Sequence, residues 1–120
     1  MEKLKKLVKA LDEKHLADIV VLDMRLHSAL YDFTVISTAK NDRIISGVLR
    51  ELKDLDADPD FTLKFIEGHN GGEWVLADFG DLVVHVFNEE MRGRYNLEKL
   101  WGDANRIDVE ELLSPIPSQN

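Results

Sequence analysis

The sequence predicts an α/β sandwich, a mixed five-stranded sheet flanked by helices in the order α-β-β-α-β-β-β-α. Three observations carry this expectation. Apolar residues recur at helical spacing in 4–11 and 44–55, short β-branched runs lie at 19–22 and 33–38, and 74–87 reads as two strands around a Phe79-Gly80 turn.

The elements follow in order. Leu4, Leu7, Val8 and Leu11 fall at i, i+3, i+4 and i+7, so the chain opens on an amphipathic helix with a lysine-rich outer face. Residues 19–22 form a buried strand, 26–32 a connection, and 33–38 a second strand. Asn41 is placed to cap a helix whose apolar stripe is Ile44, Ile45, Val48, Leu49, Leu52 and Leu55, with Asp42 in its first turn. A third strand is expected at 61–66. The strand–helix–strand unit 33–66 should cross over, right-handed, between parallel strands. Asn88 and Asn96 are placed to cap short helical turns at 89–94 and 97–101. Asp108 with Glu111 fits a capping box for a last helix carrying Val109, Leu112 and Leu113. One domain spans 1–113, and 114–120, with its two prolines, is expected to be a disordered tail.

At 120 residues the chain can build one core. No apolar run approaches the length of a membrane span, and charges interrupt the N-terminal apolar residues, so neither a span nor a secretory signal is expected. With no cysteine there is no disulfide, thiol catalysis or cysteine zinc site, which leaves the redox compartment open; with neither span nor signal, a cytoplasmic setting is expected. A net charge of −8 argues against nucleic-acid backbone binding as the primary role, which needs clustered Lys and Arg, and suits either plain solubility or a basic protein partner.

Several groupings resemble reactive sites. Counted from Asp56, carboxylates fall at positions 1, 3, 5 and 12 of a calcium loop, ending on Glu67, but Phe61 stands where the sharp turn needs glycine. The better reading is an acidic surface turn. His15, His27, His69 and His85 are too scattered for a metal pair, so no metal is expected. No nucleophile elbow or phosphate-cradling loop is present, and Gly71-Gly72 leads into a strand rather than a helix. Asp23, Asp32, Asp78 and Asp81 could hold magnesium only if the fold gathered them, and the usual pair of carboxylates on one strand beside a glycine-rich turn is missing. No catalytic residue and no cofactor is expected.

The 74–87 hairpin is apolar on both faces. A two-residue Phe79-Gly80 turn would set Asp78 opposite Asp81, Leu76 opposite Val83 and Trp74 opposite His85. One face then carries Val75, Ala77, Leu82, Val84 and Val86, as expected beneath helices. The other carries Trp74, Leu76, Asp78, Val83 and His85. That second set suits either an interface with an aromatic anchor and an acidic rim or a face covered by terminal helices, and the pattern alone fits both.

The strings GEWVLADFGDLVVHVF (72–87) and RYNLEKLWGDA (94–104) closely resemble the ribosomal silencing factor, or Iojap-like, family, as do DIVVLDMR (18–25) and YDFTVIST (31–38). The resemblance spans roughly residues 2–104. It departs at 38–41, where the family more often has Thr-Gly-x-Ser, and at Ala77, where a larger aliphatic is common. The resemblance implies a nucleotidyltransferase-like topology without catalytic residues. It implies a translation repressor that binds the large ribosomal subunit through its fourteenth large-subunit protein and blocks joining of the small subunit, with homodimers off the ribosome. An assembly factor on the same site and, more remotely, a nucleotide-binding enzyme are the rival readings. The resemblance implies a contact surface on the 74–78 strand and the 95–101 segment; together with the hairpin's second face this makes Trp74, Leu76, Asp78, His85, Tyr95 and Lys99 the expected contact residues, while Leu97, Leu100 and Trp101 have the spacing of core residues.

Overall fold

The computed structural model describes residues 2–68, 73–94, 102 and 104–114. Helices α1 (Glu2–Glu13), α2 (Asp42–Asp54), α3 (Glu89–Arg94) and α4 (Val109–Leu113) accompany strands β1 (Ala17–Asp23), β2 (Phe33–Ala39), β3 (Phe65–Glu67), β4 (Trp74–Asp78), β5 (Leu82–Asn88) and β6 (Asn105–Ile107). The strands form one mixed sheet in the order β3-β4-β5-β2-β1-β6. Only the central β2–β5 pair is parallel; the other four pairs are antiparallel. Every residue of β2 is buried, as expected of a strand paired on both sides and covered on both faces.

The main core lies on one side of this sheet. Leu4, Leu7, Val8 and Leu11 of α1 and Ile45, Val48, Leu49 and Leu52 of α2 pack with Val21, Val35, Val75, Ala77, Val84 and Val86. Each fully buried aliphatic contributes about 1.5–3 kcal/mol. Asn41 caps α2, its Oδ1 accepting the Ile44 N–H at 2.9 Å. Lys3 pins α1 to the β4–β5 turn through Asp81 (2.6 Å) and the Phe79 carbonyl (3.3 Å).

A smaller cluster of Leu22, Met24, Ile36, Phe87, Met91 and Ala104 lies on the opposite side. Here α3 packs, started by Asn88, whose Oδ1 accepts the Met91 N–H at 2.8 Å. Arg92 extends from α3 to Thr38 Oγ1 (2.8 Å) and to the Asp18 carbonyl (3.0 Å).

Four expectations change. The sheet has six strands rather than five, because Asn105–Ile107 adds to the edge of β1, with Arg106 opposite Leu22. The third strand is Phe65–Glu67, not 61–66. Phe61 instead turns inward against Phe79, rings edge-on at 5.4 Å, and the Leu63 N–H is taken by Asp56 Oδ1 at 2.9 Å. β2 and β3 run in the same direction but are separated by β5 and β4, so the parallel partner of β2 is β5.

The fourth change is the hairpin register. Trp74 lies opposite Phe87, Leu76 opposite His85 and Asp78 opposite Val83. Phe79 is buried in the core and cannot serve as a turn tip. The loop therefore runs over 79–81, with the Phe79 N–H on the Leu82 carbonyl (2.8 Å), the Gly80 N–H on Asp78 Oδ1 (2.7 Å) and Gly80 at φ +94°. The expected turn at 97–101 falls outside the described residues, as does 115–120 of the expected tail.

Candidate protein-binding face

The register shift is two residues, an even number, so it leaves each side chain on its expected face. Val75, Ala77, Leu82, Val84 and Val86 enter the helix-covered core. Trp74, Leu76, Asp78, Val83 and His85 share the other face, and Phe87 joins them.

Three rings organise this face. Trp74, His85 and Phe87 lie nearly parallel, with centroids 5.7–6.0 Å apart and interplanar angles of 5–14°. Phe87 is buried at the base, whereas Trp74 remains 42% exposed. An indole held flat against two rings on a paired strand is a rigid anchor that loses little entropy on binding. Leu76 is partly buried beside it.

His85 stands between Leu76 and Ile36, its cross-strand neighbours. It borders a recess of about 210 Å³ also lined by Met24, Tyr31, Thr34 and Val83. Burial in these surroundings lowers its pKa from 6.5 to about 4, so the ring is neutral at physiological pH.

Asp78 is oriented from two directions. Its Oδ1 accepts the Gly80 N–H, and its Oδ2 accepts the Tyr31 hydroxyl at 3.3 Å. Burial, with Asp78 beside it, pushes the Tyr31 phenol up. Tyr31 is a member of this site that sequence reasoning missed, since only the tertiary fold brings the β1–β2 connection over β4. Phe65 was missed as well. It lies opposite Asp78 at the sheet edge and is 47% exposed. The alternation of 65–67 with 76–78 across a pairing would have revealed it, had the strand been bounded correctly. Tyr95 and Lys99 fall outside the described residues.

Of the four aspartates considered for magnesium, Asp23, Asp78 and Asp81 each have a side-chain partner of their own. Asp23 is held by Arg25 (2.6 and 2.9 Å), whose hydrogen bonds keep its carboxyl below the usual range. Asp81 pairs with Lys3 on the helix side, Asp78 faces Tyr31 on the ring side, and the Asp32 backbone N–H is bonded to the Asp81 carbonyl. In the acidic turn, Asp58 and Asp60 receive Lys6 from α1 at 3.3 and 2.7 Å, and Glu67 lies in β3, so this segment is a helix clamp rather than a calcium loop. Among the described residues no group of three His, Asp or Glu is placed to hold a metal, and no helix is long and apolar enough to cross a membrane.

Among the described residues, fold and face together define an α/β sandwich with one sheet face closed by long helices and the other left partly open around stacked rings. The chain belongs to the ribosomal silencing factor family: the family model described as "Ribosomal silencing factor during starvation" matches residues 1–120. It is 42% identical over 101 residues to ribosomal silencing factor RsfS of Bacillus subtilis, covering 84% of this chain and 86% of that one. A crystal structure of a Bacillus halodurans protein superposes with a TM-score of 0.75 at 34% identity, covering 90% of this chain and 99% of that one. A more distant relative, "Mitochondrial assembly of ribosomal large subunit protein 1" of Mus musculus, is 32% identical over 99 residues, covering 79% of this chain and 43% of that one. The family's described role is ribosomal silencing during starvation.

Proposed function

We propose that this protein represses translation by binding the large ribosomal subunit through its fourteenth large-subunit protein, standing where the small subunit would join. The observation that carries the reading is the half-exposed Trp74, fixed on a rigid strand by His85 and Phe87 in a silencing-factor chain. Leu76 extends the apolar centre, Asp78 supplies an acidic rim, and Tyr95 and Lys99 continue the contact. The net charge of −8 favours encounter with a basic ribosomal protein rather than with RNA. In this reading the chain acts in the cytoplasm as a single domain over 1–113, without cofactor or catalysis, and pairs with a second copy when off the ribosome.

The test is sedimentation with separated and joined ribosomes. The protein should travel with free large subunits, be absent from intact ribosomes, and raise the free-subunit fraction when added before joining. Equal sedimentation with both populations would overturn steric blocking. The name of the mouse relative favours a second reading, an assembly factor on the same site. That reading predicts binding to immature large particles with no effect on joining.

A further inference from the structure

His85 holds a polar atom that no described residue satisfies. Its Nδ1 is cut off from solvent and has no hydrogen-bond partner among the described residues. Leu76 and Ile36 flank the ring across the sheet, and Trp74 and Phe87 lie parallel to it; the nearby recess is lined by Met24 and Val83 and by the polar residues His27, Ser28, Tyr31 and Thr34, none of which bonds Nδ1. Nε2 is not among the buried orphaned atoms and makes no hydrogen bond to a described residue, so it is within reach of solvent.

A neutral imidazole carries one N–H, on one nitrogen or the other. Placed on Nδ1, the proton would make a buried donor without an acceptor, the rarer and costlier kind of orphan in folded proteins. Placed on Nε2, it can be hydrated, and Nδ1 keeps only an unused lone pair. Burial holds the ring uncharged, which removes the alternative of protons on both nitrogens.

We propose that His85 is locked as the Nε2–H tautomer and acts as a specificity-determining donor of this face, giving one hydrogen bond to a carbonyl or carboxamide oxygen of the bound protein. The proposal rests on the protein-binding reading above. It divides the recognition chemistry of the face. A lysine or arginine on the partner is attracted to Asp78 at the rim, but over His85 it would set donor against donor. Selectivity among basic partners would then come from the acceptor each offers at the centre.

Nitrogen-15 NMR of the imidazole in the free protein tests the tautomer without any partner. A single Nε2–H form is expected from pH 8 to pH 5, and an Nδ1–H or charged ring at neutral pH would overturn the proposal. On adding the fourteenth large-subunit protein, the Nε2 proton should become protected from exchange; continued free exchange in a formed complex would remove the donor role. Two variants give an independent reading. His85→Gln sets an amide nitrogen where Nε2 lies, and His85→Asn reaches only the Nδ1 position. With folding checked by circular dichroism, Gln should bind within about threefold of native and Asn about tenfold more weakly, the worth of one buried hydrogen bond. Equal binding by both would overturn the proposal. If the native chain does not bind that protein, the interface reading fails along with the donor role, while the spectrum still decides the tautomer.

Discussion

The two faces of β4 and β5 are built from alternate residues of the same strands, yet they are finished differently. On the helix side, Val75, Ala77, Val84 and Val86 are small, aliphatic and fully enclosed by α1 and α2. On the other side, three rings, an acid and a leucine meet a short helix and a loop, leaving the indole partly in water. The first face is saturated, so any change there leaves a hole or a clash. The second has contacts left to make, and its unmet demands are specific: apolar area on Trp74 and acceptor capacity on Asp78. In the proposed reading, stability belongs mainly to one face and recognition to the other, although a single β-ladder carries both.

The largest effect expected from this division is on the saturated side. Phe61→Ala removes a ring that packs edge-on against Phe79 beneath the Lys3 ammonium. It should lower unfolding free energy by about 3–5 kcal/mol in urea titrations. A loss under about 1 kcal/mol would mean that the turn region can repack and that the core side is less rigid than described.

On the open side, Trp74→Ala should behave oppositely. Affinity for the fourteenth large-subunit protein should fall by about 2–4 kcal/mol, roughly 30- to 1000-fold, while stability changes by about 1 kcal/mol. A variant that unfolds would assign the indole to the core. A folded variant that binds normally would remove it from the interface.

His85 links the two sides through pH. Its folded pKa of about 4 lies below the ordinary 6.5. Between these values the unfolded chain binds a proton that the folded chain refuses, so stability is full above pH 6.5 and falls as pH drops towards 4. The slope should amount to at most about 3 kcal/mol, less for the residual solvent contact of the ring. Comparing native protein with His85→Phe by urea unfolding from pH 7 to pH 4 should show a flatter profile in the variant. Superimposable profiles would place the imidazole in water.

The smallest effect belongs to the rim. Asp78→Asn keeps a side-chain oxygen for the Gly80 N–H, loses the charge, and exchanges the oxygen that accepts the Tyr31 hydroxyl for an amide group that can only donate to it. Association should slow a few-fold at low salt, with little change at high salt or in dissociation. A salt-independent loss, or a faster dissociation, would move Asp78 from the rim to the centre.

The division into faces was legible in the sequence because it depends on a period of two, which an error of two residues in pairing cannot disturb. The pairing itself was not legible. It depends on Phe79 leaving the turn for the core, a choice made by Phe61 and α1 far away in sequence. Phe61 illustrates the same limit, since an aromatic beside Thr62 and Leu63 reads as a strand until the neighbouring aspartates take up the backbone N–H groups. β6 was hidden for another reason. Asn105-Arg106-Ile107 has no alternation of its own and is a strand only because the edge of β1 is available. The caps of Asn41, Asn88 and Asp108 were read correctly because their chemistry is local.

The parallel pairing of β2 with β5 has a consequence for how the molecule comes into being. The paired residues are about fifty positions apart, and α2, β3 and β4 lie within that span. Closing so large a loop carries an entropic penalty before the pairing is rewarded, which slows folding. During vectorial synthesis β2 can pair with β1 early, but its other edge remains open until β5 has been made. For that interval a seven-residue strand, wholly buried in the finished molecule, presents unpaired N–H and C=O groups to its surroundings. The youngest stage of this chain is therefore its most aggregation-prone one, and what ends the exposure is the arrival of the strand that bears His85 and Phe87.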